Sequence, residues 1–88
     1  MPPAEKPWTA PARVLVLYNA EDEWRYAIYS DVRVADGVLD GLPGSAAPAE
    51  AQTALLTRVV NATGRHYSAT WDAQEPHRWT ADLSVVDP

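Results

Sequence analysis

Residues 13–18, RVLVLY, carry apolar or aromatic side chains at five successive positions without a polar interruption. Neighbouring side chains on an extended chain leave opposite faces, so Leu15 and Leu17 point one way and Val14, Val16 and Tyr18 the other. A segment apolar on both parities reads as a strand buried on both faces, in the middle of a sheet. The rest of the chain has to supply neighbours on both sides and cover above and below.

The following residues supply the first neighbour. The polar turn NAEDE leads into WRYAIYSDVRVA, in which Trp24, Tyr26 and Ile28 share one face and Arg25, Ala27 and Tyr29 the other. These two runs form a hairpin. Asp36-Gly37 has the composition of a tight hairpin turn, with VRVA before it and VLD after it, and predicts a third strand or a short second hairpin.

The breaker-rich stretch GLPGSAAP opens a helix predicted from residue 48 to about residue 62. Pro48 suits the first helical position, and Glu50 in the first turn meets the positive end of the helix dipole. Glu50, Thr53, Thr57 and Asn61 form a polar stripe, and Leu55, Leu56, Val59 and Val60 an apolar one. Gly64 is placed to end the helix in a left-handed conformation. Beyond it, Tyr67, Ala69 and Trp71 alternate with polar residues. After AQEP, Trp79, Ala81, Leu83 and Val85 do the same, which predicts a second hairpin with Trp71 and Trp79 paired near its loop.

The order is therefore β-β-β-α-β-β. The fold class is α+β: a single antiparallel sheet of four to five strands with one α-helix packed on one face. Residues 1–12, with four prolines, read as an arm, and residues 13–88 as a single domain. Trp8 in that arm is either docked on the sheet or an anchor for a partner, since Trp is favoured in interface hot spots. One helix covers only one sheet face, while layered folds bury both. The second face is expected to be covered by the arm, by a second copy or by another protein.

At 88 residues the chain has room for one domain, near the size at which a single core needs outside help. It has no cysteine, which excludes disulfides and thiolate metal sites. No apolar run approaches the roughly 20 residues that span a bilayer. The start MPPAEKPWTAPA lacks the basic and apolar parts of a signal peptide, so a cytoplasmic protein is expected. One Lys against six Arg, with abundant Ala, resembles a high-GC bacterial coding bias. The net charge of −5 argues against binding a phosphate backbone and suits a basic protein partner.

Chemistry is sparse. His66 and His77 stand at a strand start and in a loop, with no nucleophile motif beside them. Glu21, Asp22 and Glu23 cluster in a turn without calcium-loop spacing. GLPG has no following Lys to complete a phosphate cradle. Asn61-Ala62-Thr63 has the spacing of a glycosylation acceptor, which carries no meaning without secretion. No enzyme, cofactor or metal is expected.

The stretch GLPGSAAPAEAQTALLTRVV resembles the Leu-Pro-Gly loop and following helix of HicB-like antitoxins. Leu42, Pro43 and Gly44 match the loop and Ala49, Glu50 and Ala51 the helix start. The match covers about a third of the chain. Here the helix follows the loop almost at once, a long hairpin follows the helix, and no DNA-binding helix or ribbon-helix-helix follows that. The resemblance implies the sheet-and-helix architecture and a partner-binding role, without a DNA-binding site.

The leading expectation is a non-enzymatic protein-binding module of antitoxin, immunity or adaptor type, working as a dimer or in a complex. Its anchor candidates are Trp8, Tyr29, Trp71 and Trp79, with Arg25 and Arg78 as polar contacts. The alternative is small-ligand sensing in a pocket between sheet and helix lined by Tyr26, Trp71 and Trp79. Single-stranded nucleic acid stacking on aromatic residues is a third possibility, opposed by the acidic balance.

Overall fold

The computed structural model describes residues 10–86, so Trp8 and most of the proline-rich arm lie outside the described residues. The elements run β1 (Ala12–Ala20), β2 (Glu23–Ser30), β3 (Val34–Val38), α1 (Pro48–Thr63), β4 (Tyr67–Glu75) and β5 (Arg78–Val85). They form one antiparallel five-stranded sheet of order β3-β2-β1-β5-β4, with α1 on one face. The α+β class, the element order and the central place of residues 13–18 are as the sequence predicts. β1 is the middle strand, paired with β2 on one side and β5 on the other.

The core lies between α1 and the inward parity of the sheet. Leu15 and Leu17 from β1, Trp24, Tyr26 and Ile28 from β2, and Ala51, Leu55 and Val59 from α1 are all buried. Those three helical residues recur every four positions, which puts one apolar stripe on the sheet. Arg58 lies with its guanidinium 5.2 Å above the Tyr26 ring and closes one side of the interface. At the helix C-terminus Gly64 adopts φ 69°, and its N–H donates to the Val60 carbonyl. The Tyr67 hydroxyl accepts from the Ala12 N–H at 3.1 Å and donates to Thr63 Oγ1 at 3.0 Å. One phenol thus ties the starts of β1 and β4 to the end of α1.

Two turn assignments differ from the sequence reading, and a third is sharpened. Asp36-Gly37 is not a turn: both residues lie inside β3, where Gly37 is paired with Tyr26. The chain reverses earlier. The Ser30 N–H donates to the Arg33 carbonyl at 2.9 Å, and the Ser30 hydroxyl accepts from the Val32 and Arg33 N–H groups. Gly37 serves a different purpose, leaving room for the tip of the Tyr26 side chain: a β-carbon there would stand 3.1 Å from its hydroxyl.

The first hairpin turns within NAEDE as the sequence predicts, and the structure adds its type. Its turn is Glu21-Asp22, both at positive φ (55° and 60°), the type I′ geometry that usually selects Asn-Gly. Finally, β4 continues through Ala73 and Gln74 to Glu75, leaving Pro76 and His77 as a two-residue loop with an irregularity between Ala73 and Glu75. Trp71 then stands opposite Ala81 and Trp79 opposite Ala73, so the two indoles are not a directly opposed pair. The ring contact that forms is between Trp24 and Trp79, with centroids 5.6 Å apart at 47°.

The loop between β3 and α1 is strapped over the β1–β2 turn. Asn19 Nδ2 donates to the Gly44 carbonyl at 2.8 Å, and Trp24 Nε1 donates to the Ala46 carbonyl at 3.1 Å. Gly44 sits so close that a β-carbon on it would fall 1.8 Å from the Asp22 carbonyl oxygen.

Candidate docking face

The face of the sheet opposite α1 carries no second layer among the described residues. Its side chains follow from the strand registers. Val14 is flanked by Tyr29 and Asp82, Val16 by Ala27 and Thr80, and Tyr18 by Arg25 and Arg78. These nine positions form a grid of three strands by three rows centred on Val16. At the β3 edge Val34, Asp36 and Val38 extend the rows. At the β4 edge Thr70 and Asp72 do so.

Leu15 and Leu17 are fully buried, whereas Val14, Val16 and Tyr18 on the other parity are only half-buried. Tyr29 is 41% and Val34 58% exposed. The apolar half of the face is therefore β3-β2-β1, and the polar half β5-β4. A hollow of about 410 Å³ opens on it, walled by Tyr18, Tyr29, Asp36, Glu75 and Arg78.

The charges are arranged unevenly. Arg25 is held within its own hairpin, with Nη2 2.9 Å from Glu23 and 3.7 Å from Glu21. Arg78 and Asp82 both lie on β5 and point from the same face, but they occupy the outer rows of the grid. Four residues of strand separate them by roughly 13 Å, too far to pair within one chain. Neither makes an ion pair among the described residues. Asp36, Asp72 and Glu75 lie at the rim, so carboxylates outnumber guanidinium groups over the whole face.

Of the anchor residues expected from sequence, Arg25, Tyr29 and Arg78 come together on this face. Trp71 and Trp79 do not join them. They project to the helix side, half-buried and packed against the core, with Trp79 against Trp24. Val16 and Tyr18, read from the sequence as the second face of the central strand, join Arg25, Tyr29 and Arg78, and Asp82 is the residue that sequence reasoning did not single out. The alternation within RVLVLY and within RWTADLSV contains them, once the registers of β1 and β5 are known.

Tyr26, Trp71 and Trp79, the residues of the alternative pocket, all take the helix side of the sheet. Tyr26 is buried under Arg58, and Trp79 borders a separate hollow of about 410 Å³ at the hairpin tips, beside Asn19, Asp22, Trp24 and His77. Among the described residues no three His, Asp or Glu side chains group to hold a metal ion, and no helix is long and apolar enough to cross a membrane. No family model matches the chain, and no curated protein or solved structure matches it either.

Proposed function

We propose that this protein is a non-enzymatic binding module of antitoxin, immunity or adaptor type, and that it binds another protein chain through the open face of its sheet. One observation carries the reading: the central strand presents Val14, Val16 and Tyr18 on a face over which no second layer packs among the described residues. A strand apolar on both parities has the pattern of one buried on both faces, and contiguous apolar surface left on a small protein marks an interaction site. Tyr29 and Tyr18 supply aromatic contact area, and Arg25 and Arg78 supply polar contacts at its edge. The surplus of carboxylates at the rim suits a basic protein surface and opposes nucleic acid.

The test is native mass spectrometry of tagged protein recovered gently from its own cells, beside the variants Val16→Lys and Tyr29→Ala. The unmodified chain is expected to carry a stoichiometric second chain. Both variants should lose it while keeping the far-UV circular dichroism of the parent. Retention of the second chain by both variants would place the binding site elsewhere.

A second reading, small-ligand sensing, rests on the hollow at the hairpin tips, whose size falls in the range of ligand pockets. Trp24 and Trp79 border it, so a ligand would change tryptophan fluorescence in the purified chain without added protein. An unchanged spectrum across a metabolite panel would dismiss it.

A further inference from the structure

We infer that the chain seated on the open face is a second copy of this protein, packed sheet to sheet about a two-fold axis that crosses the strands above Val16. The inference rests on the open face being a docking surface, as proposed above.

The grid decides the axis. A two-fold lying across the strands keeps β1 over β1 and β5 over β5 but reverses the rows. Arg78 then lies over Asp82 of the other copy, and Asp82 over its Arg78, so two charges that cannot meet within one chain meet twice between two. The same operation sets Tyr18 over Val14 and Arg25 over Tyr29, a cation against an aromatic face. The middle row, Ala27, Val16 and Thr80, meets itself; its small and medium side chains let the bulkier outer rows interlock. An Arg and an Asp side chain together span the roughly 10 Å between packed sheets.

The other simple axis, parallel to the strands, fails on charge. It would set Arg25 over Arg78 and Asp36 over Asp72. Inside the grid Asp82 is the only carboxylate, so the acidic surplus of the face stays in water at the rim. Along the chosen axis Asp36 and Asp72 each face their own counterpart there, which opposes association. The apolar rows supply the attraction, and the Arg78–Asp82 pairs select the orientation. Five strands about 4.8 Å apart and five residues long project to about 400 Å². That is smaller than the roughly 800 Å² per partner of a standard interface, so a reversible dimer is expected rather than an obligate one.

Sedimentation equilibrium of the purified full chain over a wide concentration range tests this with charge reversals at two exposed positions, where the fold tolerates them. The unmodified chain is expected to dimerise reversibly. R78D and D82R should each weaken dimerisation tenfold or more, and mixing the two should restore a heterodimer. The double variant R78D/D82R should dimerise alone, and D72N should dimerise more tightly than the parent. A parent monomeric at every concentration, single reversals that dimerise as well as the parent, or a mixture that fails to restore pairing would each overturn the inference. A monomeric parent leaves the broader reading standing wherever a different protein is recovered on the same face from cells. A parent that is monomeric and also carries no second chain in cells removes both.

Discussion

At the scale of single residues, two glycines explain what their neighbours alone do not. Gly44 is held against the backbone of the β1–β2 turn, where a β-carbon would overlap the Asp22 carbonyl. The backbone cannot yield there without breaking the bonds from Asn19 and Trp24 to the loop. Gly44→Ala is therefore expected to destabilise by about 2 kcal/mol or more, read as a lowered midpoint in urea denaturation. Gly37→Ala meets only the tip of a tyrosine side chain and should be milder. The sequence shows Asp36-Gly37 as a turn because composition cannot distinguish a glycine chosen for φ from one chosen for a close neighbour. Tyr67 is a second residue whose role needed the fold. Its hydroxyl bonds to Ala12 and Thr63, which come together only after the sheet has formed. Tyr67→Phe should cost about 1–2 kcal/mol of stability, since it leaves the buried Ala12 N–H without its acceptor.

At the scale of elements, local chemistry and structure agree where the apolar period is long. The helix starts at Pro48 and stops at Gly64 because both signals sit at the ends of the Leu55–Val59 stripe. The cap is incomplete: Ala47 precedes Pro48 in an extended conformation and offers no side-chain acceptor. Ala47→Ser would create a capping box with Glu50 three residues on, and thermal melting should show a gain of about 0.5–1.5 kcal/mol. The β1–β2 turn was legible as a turn but not by type. Glu21 and Asp22 adopt left-handed backbone that neither residue favours, held there by the strap of residues 44–46. Replacing Glu21-Asp22 by Asn-Gly is expected to stabilise the hairpin by about 1 kcal/mol, and no gain in urea denaturation would mean the strap already removes the strain. Strand pairing was the least legible part. Alternation fixes which face a side chain takes, but only the registers bring Arg78 and Asp82 into the outer rows beside Tyr18 and Val14. For the same reason Trp71 and Trp79, grouped in sequence with Tyr29 and Arg25, belong to the opposite face.

At the scale of the whole molecule, the sheet has one face finished by the helix and one face without a second layer among the described residues. RVLVLY states both halves in its alternating parities, and the one helix among the described residues covers only one of them. The measurement that tests this most directly is solvent paramagnetic relaxation of the valine methyl groups, followed by nuclear magnetic resonance across a dilution series. If a second chain covers the face, Val16 at its centre is protected at high concentration and becomes exposed on dilution, while Val34 at the β3 edge changes little. If Val16 is protected equally at every concentration, the chain covers its own sheet and the open face is not a docking site.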